Sequence, residues 1–228
     1  MEIRRLSLVE GAKSARGLAV VIDVFRAFTT AAYVMANGAQ RIHPVAALEE
    51  AFALREAHPD WVLMGERGGK PVPGFDYGNS PSQIMDVDFT GRVVVQSTSA
   101  GTQGIVNASG ADEVLPGSFV MADAIVDYIR ERSPSVLSLV AMGWSGRERS
   151  PEDELLAEYI ETRLREGKPD FGSMVQRIRA HPEGAKFFDK ARPEFPEADF
   201  WCAMSLNRFG FCLRVEPGLL PAIIRCHR

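Results

Sequence analysis

The chain has 228 residues, a net charge of −4 and 46% hydrophobic residues, which is typical of a soluble globular protein with one large domain or two small ones. The acidic balance argues against a nucleic-acid-binding protein, and no apolar run approaches the ~18 residues of a membrane span. The three cysteines are odd in number and lack metal-ligand spacing, which predicts free thiols in a reducing compartment. We therefore expect a cytoplasmic protein that binds neither nucleic acid nor membrane, and whether it forms a homo-oligomer stays open.

Predicted strands and helices alternate from residue 17 to residue 165. Strands are expected at the short apolar or β-branched runs 17–22, 41–45, 61–64, 92–96, 114–115 and 136–142. Helices are expected at 26–36, 46–58, 103–108, from 119 to about 132 and at 150–165, and one more is expected to begin at Ser80–Pro81. This alternation predicts an α/β fold in which a mainly parallel sheet is covered by helices on both faces.

The C-terminal region, residues 168–228, is richer in aromatic residues and is broken by prolines. Segments 171–180, 182–191 and 196–207 are expected to be short helices packed on one side of the sheet, and 211–215 a closing strand. We predict a single domain over 1–228, with a second lobe at 168–228 as the alternative.

The most unusual stretch is the glycine- and proline-rich segment 65–81, which follows a buried strand. Neither a helix nor a β-ladder is expected to continue through it. Arg67 and Lys70 bring positive charge, while Glu66 and Asp76 bring oxygen ligands that suit a hard cation such as Mg²⁺. A solvated surface loop is the alternative, but loops of this length are uncommon unless they are functional.

Asp23 is expected at the carboxyl end of the strand at 17–22, where α/β proteins collect ligands. As part of a site it would hold a metal or position a water, while Arg26 and Thr29 would hold an anionic oxygen. The alternative is an Asp that caps its helix, with Arg26 paired back to it. An aspartyl-phosphate mechanism of the haloacid-dehalogenase type needs a second Asp where this chain has Phe25, so we favour metal-activated water.

A hydroxyl-rich turn at 97–102 leads from the strand at 92–96 into a helix. Short donors at a helix N-terminus suit an anion. Glu152 and Asp153 stand at another predicted helix start, where they are either site residues or acids that complement the helix dipole.

Cys202 and Arg208 have the Cys-x5-Arg spacing of cysteine-dependent phosphatases. The residues between them include no glycine and favour a helix, whose backbone N–H groups are not free to bind phosphate. We therefore expect Cys202 to be a buried structural residue. The four histidines show no ligand spacing, so neither a zinc site nor a His-based triad is expected.

Together these segments resemble the 2-phosphosulfolactate phosphatase family, the ComB type. The resemblance extends in order through most of the chain, and the Gly-Phe-Asp-x-x-Asn-Ser-Pro run at 74–81 is its most specific part. The segments that carry it are 21–27, 65–69, 73–81, 97–102, 117–119, Gly143 and Glu152–Asp153.

The resemblance implies a Mg²⁺-dependent α/β phosphatase of coenzyme M biosynthesis that converts (R)-2-phospho-3-sulfolactate into 3-sulfolactate and phosphate. The residues then expected to be catalytic are Asp23, Glu66 and Arg67. The expected Mg²⁺ ligands are Asp23, Glu66, Asp76 and Asp153. The expected substrate-binding residues are Arg26, Thr29, Gly68, Gly69, Asn79, Ser80, Thr98, Ser99, Gly101 and Thr102.

Two departures from the family pattern concern the substrate. Ala100 and Met121 stand where the family commonly has Asn, so the grip on the sulfonate or carboxylate is expected to differ. The alternatives are therefore a phosphatase of the same fold that acts on another small phospho-acid, or a non-catalytic binder of an anionic metabolite.

Overall fold

The structure, a computed structural model, describes residues 1–226. Its strands, in chain order, are β1 (Glu2–Ser7), β2 (Leu18–Ile22), β3 (Arg41–Pro44), β4 (Val62–Arg67), β5 (Lys70–Pro71), β6 (Val93–Ser97), β7 (Glu113–Gly117), β8 (Val136–Ala141), β9 (Cys212–Glu216) and β10 (Ala222–Cys226). Its helices are α1 (Leu8–Ser14), α2 (Ala27–Ala36), α3 (Leu48–Ala57), α4 (Gly101–Asn107), α5 (Ala122–Arg132), α6 (Pro151–Leu164), α7 (Phe171–Ala180), α8 (Pro182–Ala185) and α9 (Glu197–Ala203). None of the helices within residues 1–226 is long and apolar enough to cross a lipid bilayer.

The first of two sheets is entirely parallel, with the strand order β1-β8-β2-β7. Its central strand β2, Leu-Ala-Val-Val-Ile, is buried at every position. A continuous apolar run is what a strand covered on both faces requires. In register, Ile22 lies opposite Ala141 of β8 and Gly117 of β7, so these three strands end at the same level.

The second sheet is mixed, with the order β5-β4-β6-β3-β10-β9. Strands β4, β6 and β3 are parallel, and antiparallel strands flank them on both sides. Strand β9 at its edge contacts β7 of the first sheet, which brings the two sheets together.

Helices α2 and α4 contact strands of both sheets and therefore lie between them. The side chains of β4 alternate, with Val62 and Met64 in the main core and Leu63 in a smaller cluster with Ala51 of α3. Since alternate side chains of a strand point to opposite faces, α3 covers the outer face of the second sheet. Helices α5 and α6 pack on the first sheet, and α7 packs on α6.

The predicted α/β class with a mainly parallel sheet and flanking helices is confirmed. Hydrophobic periodicity does not show that the strands divide between two sheets, because it reports the faces of a strand but not its neighbours. Strands β1, β5 and β10 were not predicted. The C-terminal short helices and the closing strand β9 are present, and whether 168–226 counts as a separate lobe stays open.

Two local predictions around the segment 65–81 are wrong. No helix begins at Ser80–Pro81, where the chain forms turns instead. The contacts of these turns are tertiary, since the N–H of Ser82 donates to Asp199 and the carbonyls of Ile84 and Met85 accept from Asn37 Nδ2. The β-ladder also does not stop at Gly65, since β4 continues to Arg67 and turns back into β5.

Gly65 allows β4 to continue because it pairs closely with Ser97 of β6. Its φ is +153°, and a Cβ built there would lie 2.0 Å from the carbonyl oxygen of Ser97. Only a residue without a side chain fits this approach. Gly65, which suggested that the strand would break, thus allows β4 to continue and places Glu66 near its end.

We expect Gly65→Ala to lower the free energy of unfolding by about 2–4 kcal/mol, because the methyl group clashes with backbone that cannot move aside. Gly91→Ala is the matched control, since Gly91 also has a positive φ (+70°) but has no atom within 4 Å of the added Cβ. It should lose only about 1 kcal/mol. Urea unfolding followed by circular dichroism measures both variants, and equal losses would contradict the steric explanation.

Candidate active site

The carboxyl ends of β2, β4, β6 and β8 meet between the two sheets and surround a cleft of about 350 Å³, called the central cleft below. Its lining residues are Asp23, Phe25, Arg26, Glu66, Gly69, Asn79, Ser99, Ala100, Gly143, Trp144, Ser145 and Phe195. Ends of parallel strands are where α/β folds place ligands. Asp23 and Glu66, which are far apart in sequence, thus face one space, although they come from two sheets.

Asp23 is 5% exposed and lies beside the first residues of α2 and α4. Its Oδ1 accepts a hydrogen bond from the N–H of Ala27 at 3.1 Å, and the N–H of Gly101 also faces the carboxylate. Burial, followed by the negative charge of Glu66, raises the pKa of Asp23 to about 7. A Cβ at Gly101 would lie 2.9 Å from Asp23 Oδ2, so glycine lets α4 start against the carboxylate. Asp23 does bond to its own helix, but Arg26 does not pair with it.

Glu66 is 7% exposed and is held by backbone and hydroxyl donors. Its Oε1 accepts from the N–H of Ser99 at 2.7 Å. Its Oε2 accepts from the N–H of Gly69 at 2.7 Å and from Ser99 Oγ at 3.1 Å. Within residues 1–226, no Lys or Arg nitrogen lies within 4.0 Å of the carboxylate of Asp23 or Glu66. Two buried negative charges therefore face the cleft without an ion-pair partner.

Asn79 adds a third oxygen to the cleft. The side chain is 4% exposed, and its Oδ1 is buried without a hydrogen-bond partner. A buried polar atom without a partner is costly and calls for an explanation. Two carboxylates and an amide oxygen suit Mg²⁺, which is usually held by one or two carboxylates and completes its shell with water and substrate oxygens.

The four expected Mg²⁺ ligands do not gather in one place. Asp76 lies outside the central cleft, where it accepts from the N–H of Leu63 at 2.7 Å and pairs with Arg55. In the part of the chain that the structure describes, no group of three or more His, Cys, Asp or Glu side chains is arranged to hold a metal. The set that fits the cation is thus Asp23 and Glu66 with Asn79.

Asp153 binds backbone on both sides of the cleft. Its Oδ1 accepts from the N–H of Val24 and its Oδ2 from the N–H of Gly143, each at 2.8 Å. The residue is 2% exposed, and burial, followed by the charges of Glu152 and Asp23, raises its pKa well above the usual range. Asp153 therefore ties the end of β2 to the end of β8.

Arg26 lines the cleft, but its guanidinium is already bonded to protein groups. Its Nη1 donates to Asp199 Oδ2 at 2.7 Å and to the carbonyl of Glu194 at 2.9 Å. Its Nη2 donates to the carbonyl of Gly69 at 2.9 Å. The paired side chains of Arg26 and Asp199 are 4% and 0% exposed. These contacts hold the guanidinium of Arg26 in place at the cleft, and its expected contact with the substrate stays a prediction.

Arg67, unlike Arg26, does not line the central cleft. Its Nη1 donates to the carbonyl of Glu66 at 2.7 Å, and its Nη2 donates to Ser97 Oγ at 2.8 Å and to the carbonyl of Ala46 at 3.1 Å. The guanidinium lines a wider groove beside the cleft.

The other expected substrate-binding residues divide into three groups. Gly69, Asn79 and Ser99 line the cleft. The buried hydroxyls of Thr29, Thr98 and Thr102 do not, and their hydrogen bonds stay within the protein.

Three further expected residues do not line the cleft but contact residues at or next to it. Gly68 donates its N–H to Ser99 Oγ at 3.3 Å, and Gly101 faces Asp23. Ser80 Oγ donates to Asp199 Oδ1 at 2.8 Å. Since Ser80 follows Asn79, this bond fixes the chain beside the unpartnered amide.

Sequence reasoning missed three residues that form one wall of the cleft, Trp144, Ser145 and Phe195. Lys186 lies against this wall, with Nζ 4.0 Å from the ring centre of Trp144 and 4.6 Å from that of Phe195. The sequence indicates a turn at two of these residues, because Gly143 and Gly146 flank Trp144–Ser145 shortly after β8. Phe195 carried no comparable signal.

The cysteine-phosphatase alternative is excluded by position. Cys202 is 5% exposed and lies inside α9, and burial raises the pKa of its thiol. The expectation of a buried structural cysteine is confirmed.

Comparison with known proteins agrees with the class that the fold and cleft define, an α/β enzyme that acts on a small anion. Residues 5–185 match the model of a family described as 2-phosphosulpholactate phosphatase. A Bacillus subtilis protein named probable 2-phosphosulfolactate phosphatase is 32% identical over 90% of each chain. A protein of the same name from Carboxydothermus hydrogenoformans is 36% identical over 86% of this chain and 78% of its own.

The chain therefore belongs to the 2-phosphosulfolactate phosphatase family. This confirms the resemblance seen in the sequence and the prediction of a phosphoric monoester hydrolase. The cytoplasmic location, the lack of nucleic-acid binding and the oligomeric state stay predictions.

Asp199→Ala should destabilise the protein by about 3–5 kcal/mol, because it leaves Arg26 buried without its counter-ion. Glu2→Ala is the matched control, since the Arg4–Glu2 pair has the same 2.7 Å distance but its side chains are 39% and 58% exposed. Its stability should change little. Thermal and urea unfolding test this prediction, and a loss in Glu2→Ala equal to that in Asp199→Ala would contradict it.

Proposed function

We propose that the chain hydrolyses (R)-2-phospho-3-sulfolactate to 3-sulfolactate and phosphate in a Mg²⁺-dependent reaction, as a step of coenzyme M biosynthesis. The observation that carries the proposal is the pair Asp23 and Glu66, two buried carboxylates that face one cleft without a cationic partner. Membership of a family of phosphatases supplies the reaction type.

Asp23, Glu66 and the Oδ1 of Asn79 would hold the Mg²⁺ ion, with water and substrate oxygens as its other ligands. Bound there, Mg²⁺ would polarise the phosphoryl group and lower the pKa of an attacking water. Burial and, to a smaller extent, the charge of Glu66 raise the pKa of Asp23, and a bound cation would favour the ionised carboxylate against both effects.

The protein groups around this position orient the ester and keep bulk water away from it. Asn79 and Ser145 line the cleft, and their amide and hydroxyl groups are donors that suit phosphoryl oxygens. Phe25, Trp144 and Phe195 supply apolar surface around the same space. Lower water content strengthens each electrostatic contact with the developing charge.

The wall formed by Gly143–Ser145 depends on Asp153 for its position, because the carboxylate holds both this wall and the residue after Asp23. We assign Asp153 to positioning, and Asp23 and Glu66 to the contact with cation and substrate.

Two alternative functions are outcomes that an experiment can distinguish: a phosphatase for another small phospho-acid, and a binder that shows affinity without turnover. Phosphate release from a panel of phosphorylated hydroxy acids, with and without EDTA, separates them.

Asp23→Asn and Glu66→Gln should each lower kcat for phosphate release by about 100-fold or more, since each removes one charge that the cation needs. Both should also weaken Mg²⁺ binding in isothermal titration calorimetry. The substitutions conserve shape, so circular dichroism should show a folded protein.

Asp76→Asn is the control for these variants, because Asp76 is a carboxylate of the same glycine-rich segment that lies outside the cleft. It should keep Mg²⁺ affinity and turnover within a few-fold of the wild type. Wild-type turnover in Asp23→Asn and Glu66→Gln would reject the site, and loss of Mg²⁺ binding in Asp76→Asn would restore the ligand set expected from the sequence.

A further inference from the structure

A second depression, called the arginine groove below, opens beside the central cleft. It has a volume of about 1360 Å³ including its open side, and Arg67 and Arg147 both line it. Ser99 and Ser145 line the cleft and the groove alike. The two spaces therefore adjoin at these residues, and an arm of a ligand held in the cleft would enter the groove past Ser99 and Ser145.

Two guanidinium groups line the groove without a directly contacting acidic side chain in the described part of the chain. Neither Arg67 nor Arg147 forms an ion pair with an acidic side chain within residues 1–226. The acidic residue that lines the groove, Glu10, is paired with Lys13 at 2.7 Å. The groove thus differs from the neighbourhood of Arg26, where the positive charge is balanced by Asp199.

Arg147 is held out toward the groove by a tight turn. The N–H of Trp144 donates to the carbonyl of Glu148 at 2.7 Å, and the N–H of Arg147 donates to the carbonyl of Trp144 at 3.0 Å. Gly146 has a φ of +68°, which this turn requires. The turn that supplies Trp144 and Ser145 to the cleft therefore also presents Arg147 to the groove.

We propose that the arginine groove binds the sulfonate arm of the substrate, and that Arg147 determines the preference for a sulfonated over an unsulfonated phosphoester. This inference rests on the proposed function. The carboxylate carbon is bonded directly to the phosphorylated carbon, whereas the sulfonate is one carbon further away, so the sulfonate is the arm that reaches beyond the cleft. Arginine binds such tetrahedral oxyanions with two parallel hydrogen bonds.

Arg67 lines the same groove and supplies a second cation for this anion. Its three hydrogen bonds to Glu66, Ala46 and Ser97 use only part of its five N–H donors, and they hold the guanidinium in place. The fixed guanidinium of Arg67 and the more exposed side chain of Arg147 thus line the same groove.

The test compares 2-phospho-3-sulfolactate with 2-phospholactate, which lacks only the sulfonate. In Arg147→Ala the ratio of kcat/KM for the first ester to that for the second should fall by about 10- to 100-fold, mainly through KM. Arg147→Lys should restore part of the ratio, because it keeps the charge but loses the paired hydrogen bonds. Arg149→Ala is the control, since its side chain is 72% exposed, is absent from the groove lining and should leave the ratio as in the wild type.

An equal loss for both esters in Arg147→Ala, or the same loss in Arg149→Ala, would overturn the assignment of Arg147. Calorimetry with 3-sulfolactate itself keeps this test independent of turnover. If the wild type binds 3-sulfolactate but releases no phosphate from either ester, the proposed function fails. Weaker binding of 3-sulfolactate by Arg147→Ala would still support the groove, and unchanged binding would reject it.

Discussion

The ion pair between Asp199 and Arg26 holds the two halves of the site together. Asp199 belongs to α9, near the end of the chain, and Arg26 follows the first central strand. The same guanidinium donates to the carbonyl of Gly69, and the N–H of Gly69 donates in turn to Glu66. A buried ion pair is stabilising only when its remaining hydrogen-bonding groups are also satisfied, and Ser80 and Ser82 satisfy the other oxygen of Asp199. The C-terminal region therefore fixes the glycine-rich segment against the end of β2.

The carboxylates of the cleft are held in a different way, by backbone N–H groups and one hydroxyl instead of cations. Such donors orient a carboxylate and partly offset its burial, but none of them carries a positive charge, and Lys186 acts on Asp23 without forming an ion pair with it. Asp23 shows the consequence, because its pKa is raised to about 7 by burial and by Glu66. The arginine in the cleft cannot compensate this charge since it is committed to Asp199. The protein thus creates a local deficit of positive charge that a divalent cation is suited to fill.

The sequence predicted the parts of this arrangement that depend on local pattern. Asp23 follows an apolar run, and Glu66 lies in a glycine-rich segment after another, so their position at strand ends could be expected. The role of Arg26 could not, because its partner Asp199 is 173 residues away and lies in a helix whose pattern gives no sign of the pairing. The contacts of Asp76 and Asp153 could not be predicted for a related reason, since composition shows that an acid is present but not which backbone N–H groups its oxygens accept from. The division into two sheets was equally hidden, as strand neighbours are set by tertiary packing.

This distribution of charge suits two different roles: the central cleft would carry out the reaction, and the arginine groove would recognise the substrate. In the cleft, the oxygen-rich lining favours a cation and the phosphoryl group that accompanies it. In the groove, Arg67 and Arg147 form no ion pair with an acidic side chain of residues 1–226, and Glu10 of the lining is paired with Lys13. A protein with a net charge of −4 can therefore attract a multiply charged anion locally. The turn at 143–148 belongs to both surfaces, so a change in its length or glycine content is expected to alter reaction and selectivity together.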